Sequence, residues 1–246
     1  MVNKNKVNGS SKKKNGLEKK ERPSTDPSKA GDTKATEGTS SKKEDDLSKL
    51  PKQVSARARI EELEGVLRKY KKKNLLVLLK GTPDPDSIAS AWALKYIARD
   101  FEVNVTILYT DKLSHQENRA LVKSMEIPMV FFSERFDFTP FAGYCIVDSP
   151  LLSLPIPPNA ELPLLPLVVV VDHHKSDGTA SAEFVDIREN AGSTASIFAE
   201  YLREGAVGLE PSNQECMQLA TALMHGIRSD TDHYYLAREI DFIASA

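Results

Sequence analysis

The sequence predicts an α/β protein in which a doubly wound, largely parallel sheet is flanked by helices and preceded by a disordered tail. Short, wholly apolar segments alternate along the chain with longer segments whose apolar residues recur at helical spacing. This alternation is typical of consecutive βαβ units. The strand-length segments are continuously apolar, as expected for strands buried on both faces of a parallel sheet. Residues 1–53, in contrast, contain almost no large apolar side chains.

The first 53 residues are rich in Lys, Ser, Gly, Asn, Thr and Asp. Such a segment buries too little apolar surface to offset its ordering entropy, so we predict a disordered, basic, low-complexity tail. It carries 14 Lys and Arg against 8 Asp and Glu, a net charge of +6. The tail either contacts nucleic acid or another protein, or serves only to keep the chain in solution.

An amphipathic lead-in helix is predicted over residues 54–73, where apolar side chains recur at helical spacing. Glutamates early in this segment and basic residues late in it suit the helix dipole. The next elements are assigned by apolar runs and by the return of helical spacing. Strands are predicted at residues 75–79, 103–108, 129–132, 144–147 and 167–171. Helices are predicted at residues 86–99, 114–125, 193–204 and 212–228. Residues 150–166 contain six prolines and are predicted to form a loop.

The composition of the 246 residues, 40% hydrophobic and 28% charged, is ordinary for a water-soluble protein. No apolar run is long enough to span a membrane, and the polar N-terminus argues against a secretory signal. The two cysteines exclude a disulfide scaffold and a cysteine zinc cage. We therefore expect a cytoplasmic protein without a membrane partner.

Residues 54–246 carry a net charge of −8, because the basic tail hides an acidic remainder. A protein that binds long nucleic acid without sequence preference needs a basic face. The charge distribution therefore argues against a processive exonuclease acting on long DNA.

Polar side chains follow three of the predicted strands at the point where each strand ends. Asp84 and Asp86 follow the first strand, Asp148 follows the fourth, and the triplet that begins at Asp172 follows the fifth. Asp230 comes after a long predicted helix. Taken singly, most of these residues are explained equally well as turn residues or helix caps. The carboxyl ends of parallel strands meet at one sheet edge, however, where such proteins bind ligands.

Carboxylates and imidazoles without thiolates favour Mn²⁺ or Mg²⁺ over structural zinc. Several acidic groups at one edge also need cations to offset their mutual repulsion. The sequence therefore predicts a site with two metal ions, which activates water and stabilises the oxygens of a phosphoryl group during displacement.

These segments resemble the four motifs of the DHH phosphoesterase superfamily, which includes the RecJ-like and the oligoribonuclease/pAp phosphatase types. The resemblance covers about residues 72–240. It rests on motifs in the expected order, namely Asp84-Pro85-Asp86-Ser87, Val147-Asp148, Asp172-His173-His174 and Gly226-Ile227-Arg228-Ser229-Asp230-Thr231. The segment Ala191-Gly192-Ser193-Thr194 also resembles the helix start that follows the Asp-His-His motif.

The resemblance implies a role for each matched residue. Asp84 and Asp148 would bind the first metal ion. The second ion would be bound by Asp86, Asp148, His173 and Asp230, with Asp148 bridging the two ions. The catalytic pair would be His174, which contacts the scissile phosphate, and Asp172, which orients a neighbouring histidine. The resemblance implies Mn²⁺ as the cofactor, with Mg²⁺ as the alternative.

Two departures from the family pattern bear on function. Lys80 stands where many relatives have a metal-binding histidine, so either the first metal ion binds weakly or Lys80 contacts substrate phosphate. Arg228 is expected to contact substrate phosphate as well. The helix start at Ser193 is expected to offer backbone amides to phosphate, although helix capping explains Ser193 equally well. No glycine-rich histidine motif of a DHHA1 substrate domain follows the fourth motif, so residues 74–246 resemble the catalytic domain alone.

The expected activity is Mn²⁺-dependent hydrolysis of phosphoester bonds in short oligonucleotides or small phosphorylated nucleotides such as 3′-phosphoadenosine 5′-phosphate. The alternatives are a binding or regulatory module without catalysis, and a fragment that needs a DHHA1 partner. A face left open by a missing domain would favour a homodimer.

Overall fold

The computed structural model describes residues 55–79, 81–149, 165–175, 181–205 and 207–246. The predicted disordered tail, Lys80 and most of the predicted proline-rich loop lie outside these residues. Within them the α/β class is confirmed, because six parallel strands form one sheet flanked by helices.

The elements follow the alternation predicted from the sequence. The strands are β1 (Asn74–Leu79), β2 (Asn104–Tyr109), β3 (Met129–Phe131), β4 (Phe141–Val147), β5 (Leu167–Asp172) and β6 (Phe184–Ile187). The helices are α1 (Ala56–Lys69), α2 (Pro85–Asp100), α3 (Gln116–Ser124), α4 (Thr194–Arg203), α5 (Gln214–Asp230) and α6 (Glu239–Ala244). The strand β6 and the helix α6 were not predicted, and the lead-in helix ends at Lys69, earlier than predicted.

The strand order is β3-β2-β1-β4-β5-β6, and all neighbouring strands are parallel. This is the order of a doubly wound sheet, in which the chain leaves β1 toward one edge and later returns to build the other half from β4. The switch point therefore lies between β1 and β4, and ligands of such sheets bind beyond the carboxyl ends of the strands at that point.

The two faces of the sheet are covered differently. Alternate residues of β1, such as Leu75 and Val77, belong to a core that also contains residues of α1, α2, α4 and α5. The intervening residues Leu76 and Leu78 face a second core, which in the described residues is closed by aromatic side chains around Phe138. The side of the sheet that carries the helices therefore holds most of the apolar packing.

The helix α2 is buried along nearly its whole length. It packs against the sheet on one side and against α4 and α5 on the other, which its small Ala and Ser side chains permit. Because α2 is the next element after β1 in the chain, this packing fixes its first turn at the switch point. None of the helices in the described ranges has the length and apolar character that crossing a bilayer requires.

Candidate metal centre

The switch point brings together side chains from four segments that lie far apart in the sequence. Asp86 lies in the first turn of α2, Asp148 follows β4 and His173 follows β5. Asp230 is the last residue of α5, so it lies within the helix rather than after it as predicted. One ligand atom of each of these four residues lies within 4.8 Å of the corresponding atoms of the other three.

His173 occupies the middle of this group. Its Nε2 atom lies 3.2 Å from Asp230 Oδ2, 3.4 Å from Asp148 Oδ1 and 3.9 Å from Asp86 Oδ2. A second group consists of Asp148, His173 and His174, again with ligand atoms within 4.8 Å of one another. Asp148 and His173 belong to both groups, which is the arrangement expected of a bridging carboxylate.

The carboxylate of Asp86 is fully buried and is held by the start of α4. The Thr194 N–H donates to Asp86 Oδ2 and the Ala195 N–H donates to Asp86 Oδ1, each at 2.7 Å. These are two of the N–H groups that a helix leaves without partners in its first turn. The positive end of the α4 dipole therefore partly offsets the cost of burying this charge.

The side chain of Asp148 is also oriented by α4. The Thr194 hydroxyl donates to Asp148 Oδ1 at 3.0 Å. The backbone of Asp148 has a φ of 53°, in the left-handed region that residues with a Cβ seldom occupy. Such a conformation costs of order 1 kcal/mol and is common at functional sites, where the surrounding structure holds it in place.

Burial and like charges act in the same direction on the pKa of Asp86. Burial raises this pKa well above its usual value, and the carboxylates of Asp148 and Asp230 raise it further. His173 responds in the opposite sense. Burial alone would lower the pKa of His173, but the adjacent carboxylates of Asp148, Asp230 and Asp86 raise it to about 11. Without a metal ion, a protonated His173 therefore supplies the positive charge between the carboxylates.

His174 lies beside this group and is more exposed, with 43% of its side chain accessible. Its Nδ1 atom lies 2.8 Å from Asp172 Oδ1, which also accepts the backbone N–H groups of both histidines. The hydrogen bond to Asp172 raises the pKa of His174. With Nδ1 engaged by Asp172, the Nε2 edge is left to contact a substrate, as the resemblance implies for His174.

The donor set fits a divalent metal ion. Among the described residues, two buried side-chain atoms at this edge have no hydrogen-bond partner, His173 Nε2 and Asp172 Oδ2. Buried polar atoms are rarely left unpaired, and His173 Nε2 is surrounded by carboxylate oxygens. Carboxylates with one imidazole and no thiolate suit Mn²⁺ or Mg²⁺.

The remaining predicted site residues are placed differently. The Asp84 carboxylate accepts the Ser87 N–H at 2.9 Å as the cap of α2, and it is in neither of the two groups found in the described residues. Ser193 is fully buried and its hydroxyl caps α4 by accepting the Ser196 N–H at 3.1 Å, as the capping alternative predicts, and a contact between this segment and substrate stays a prediction. Arg228 is exposed on α5, two residues before Asp230. Lys80 lies outside the described residues.

Sequence reasoning missed two residues that organise the site. The buried Asn118 of α3 donates from Nδ2 to the Pro83 carbonyl at 2.8 Å and so anchors the turn before α2. The buried Asp241 of α6 contacts the loop before α4. A single amide in an exposed helix and a single acid near the end of the chain carry no distinctive pattern. Their roles emerge only from the packing.

Comparison with known proteins bears directly on these motifs. Residues 74–227 match the family model described as the N-terminal domain of the DHH family. That match spans β1 to the last turn of α5 and includes Asp86, Asp148 and His173.

Two uncharacterized proteins of Methanocaldococcus jannaschii are similar in sequence. One is 38% identical over 180 residues, covering 72% of this chain and 34% of the relative. The other is 28% identical over 179 residues, covering 72% of this chain and 51% of the relative. The chain thus spans about a third to a half of the length of these relatives.

A solved structure shares the fold. An exopolyphosphatase-related protein from Bacteroides fragilis aligns with a TM-score of 0.56 at 15% identity, covering 79% of this chain and 56% of that one. At this level of identity the likeness concerns the fold alone.

Proposed function

The chain belongs to the DHH family, and on that premise we propose that it hydrolyses phosphoester bonds with the help of divalent metal ions. The observation that carries the proposal is the convergence of Asp86, Asp148, His173 and Asp230 within 4.8 Å at the switch point. Mn²⁺ is the proposed ion and Mg²⁺ the alternative.

The chain's own residues have distinct proposed tasks. Asp86, Asp148, His173 and Asp230 would hold one ion, and Asp148 with neighbouring groups, including Asp84, would hold a second. When bound, such ions lower the pKa of a bound water and stabilise the charge of phosphoryl oxygens.

His174 is proposed to donate a hydrogen bond from Nε2 to a phosphate oxygen of the substrate. The contact between its Nδ1 atom and Asp172 fixes the ring orientation. The same contact raises the pKa of His174, which favours the charged imidazolium more than in a free histidine. A charge-assisted hydrogen bond to phosphate is about twice as strong as a neutral one.

The proposed substrates are short oligonucleotides or small phosphorylated nucleotides such as 3′-phosphoadenosine 5′-phosphate. The net charge of −8 over residues 54–246 supports a small substrate over long nucleic acid, which would be repelled. Arg228 is proposed to contact substrate phosphate from the exposed end of α5, with Lys80 as a second basic residue. A homodimer, tail contacts with nucleic acid or another protein, and a cytoplasmic location stay predictions.

The test is hydrolysis by the purified chain with Mn²⁺. The substrates are the bisphosphorylated nucleotide, a two-to-five-nucleotide RNA, pyrophosphate and a chromogenic phosphodiester. Asp148→Asn is expected to reduce turnover at least about 100-fold, since it alters the proposed bridging ligand. Asp186→Asn is the matched control, because Asp186 is also a buried carboxylate but bonds Tyr201 and Arg188.

Hydrolysis by the wild type and by Asp186→Asn, but not by Asp148→Asn, would support the proposal. The substrate that is hydrolysed fastest would then identify the substrate class. Folded wild-type protein that binds Mn²⁺ but hydrolyses none of the four substrates would contradict it. That outcome would instead favour a binding or regulatory module, or a fragment that needs a DHHA1 partner.

A further inference from the structure

A buried carboxylate outside the metal-binding group joins α6 to the start of α4. Asp241 is fully buried, and both of its carboxylate oxygens accept the Gly192 N–H at 3.0 Å. The Ser196 hydroxyl donates to Asp241 Oδ1 at 2.6 Å, and the Arg238 N–H donates to Oδ2 at 2.6 Å. The carboxylate therefore fixes the loop before α4, the first turn of α4 and the start of α6 relative to one another.

The position of Gly192 shows how closely the loop approaches Asp241. A Cβ atom at residue 192 would lie 2.2 Å from Asp241 Oδ2 and 2.8 Å from Thr231 Cγ2. Only a residue without a side chain fits there, because both distances are far inside van der Waals contact. The loop before α4 is thus packed directly against Asp241 and against the residue that follows Asp230.

The opposite side of the same helix start contacts the metal-binding group. The first two residues of α4, Thr194 and Ala195, donate their N–H groups to Asp86, and the Thr194 hydroxyl donates to Asp148. The first turn of α4 is therefore held between Asp241 on one side and two of the proposed metal ligands on the other.

We propose that Asp241 is a positioning residue for the metal centre, acting through the first turn of α4. It keeps Thr194 and Ala195 where their donors orient Asp86 and Asp148 for metal binding, although Asp241 itself touches neither carboxylate. This inference rests on the proposed function, since it assigns a consequence for metal affinity. Groups that orient metal ligands commonly change metal affinity 10-fold to 100-fold when they are altered.

The test compares Asp241→Asn with Asp186→Asn in the full chain. The amide introduced by Asp241→Asn would place an N–H donor against the backbone donors of Gly192 or Arg238, where the carboxylate accepts from both. Asp186→Asn makes the same chemical change at a buried carboxylate that bonds Tyr201 in the later part of α4. Both changes should lower the melting temperature, so a merely structural role for Asp241 predicts the same behaviour for both variants.

Two measurements separate positioning from stability. The Mn²⁺ dissociation constant, measured by calorimetry, should rise about 10-fold in Asp241→Asn and stay unchanged in Asp186→Asn. Hydrogen exchange in metal-free protein should become faster at the Thr194 and Ala195 amides in Asp241→Asn alone. Ser196→Ala removes one donor to Asp241, and it replaces Asp241→Asn in both measurements if that variant does not fold. It should weaken Mn²⁺ binding in the same direction but less.

Equal effects of the two Asp→Asn changes on Mn²⁺ affinity would overturn the inference. So would unchanged exchange at Thr194 and Ala195 in Asp241→Asn. Failure of the wild-type chain to bind Mn²⁺ would instead contradict the proposed function, and the exchange measurement would then decide the positioning role by itself.

Discussion

Gly226 lies where α5 crosses the start of α2, and Gly226→Ala is expected to weaken the metal centre although no proposed ligand is replaced. A Cβ atom at residue 226 would lie 3.0 Å from Asp86 Cα, 3.2 Å from the Pro85 carbonyl oxygen and 3.2 Å from Ala195 Cβ. Gly226 therefore lets the helix that carries Asp230 lie directly on the helix that carries Asp86.

The size of the effect follows from these distances. Van der Waals contact between carbon atoms begins at about 3.5 Å. The helix α5 must therefore move away from α2 by about 0.5 Å to accept the methyl group. Metal–ligand distances tolerate only about 0.2 Å, so we expect Mn²⁺ to bind about 10-fold more weakly. At a Mn²⁺ concentration 100 times the wild-type Kd, metal-induced stabilisation would fall from about 2.7 to about 1.4 kcal/mol.

The assay is denaturant unfolding with and without Mn²⁺, which separates metal-induced stabilisation from the stability of the metal-free fold. Gly65→Ala in α1 is the matched control, because nothing lies within 4 Å of a Cβ atom at residue 65. That variant should gain up to about 1 kcal/mol from helix propensity and keep the full response to Mn²⁺. A Gly226→Ala protein that responds to Mn²⁺ like the wild type would refute the proposed coupling between helix packing and ligand geometry.

Three further predictions concern pH, packing and thiol reactivity. The pKa of His173 is raised from 6.5 to about 11, so without metal its stabilising contribution is complete below pH 6.5 and is lost as the pH rises toward 11. His173→Gln should flatten that fall in the free energy of unfolding, measured by denaturant titration across this range, and an unchanged slope would contradict the assignment. Phe138→Ala should cost about 3 kcal/mol by opening the second core, with Mn²⁺ affinity unchanged in calorimetry. Cys145 and Cys216 are buried, and burial raises the pKa of Cys145 to about 12, so mass spectrometry should detect alkylation of either thiol only after unfolding.

The strands that the sequence indicates most directly are β1 and β5, which are almost completely buried. The runs that became β1 and β5 are apolar without interruption, because both faces of these central strands are covered. The strand β6 was missed because one of its two inward side chains is the charged Asp186, which interrupts the short apolar run. That charge is tolerated because Arg188 and Tyr201 bond it. Pairing of this kind is set by the tertiary structure and leaves no periodic pattern in the sequence.

Part of the candidate site could also be predicted from the sequence, and part could not. The residues that end strands were predictable, because topology alone brings Asp148 and His173 to one edge. The role of α4 was only half predictable. Its glycine-containing start suggested amides that bind phosphate, but the structure directs the amides of Thr194 and Ala195 to Asp86. Whether a helix start meets a substrate or a side chain depends on the packing of α2 against α4, which local sequence does not encode.

The contacts around Asp86 explain how a buried acidic centre can exist before a metal ion binds. Each carboxylate oxygen of Asp86 accepts one N–H from α4, and a carboxylate oxygen has two lone-pair sites. The amides therefore orient the carboxylate and leave one lone-pair site on Oδ2 for a cation, whereas Oδ1 also accepts from the Ser90 hydroxyl at 3.5 Å. A protonated His173 offsets part of the negative charge of the three carboxylates in the metal-free state, and a metal ion bound there must displace that proton because only the neutral imidazole binds metals. The same arrangement that keeps the metal-free centre folded thus makes its metal affinity rise with pH.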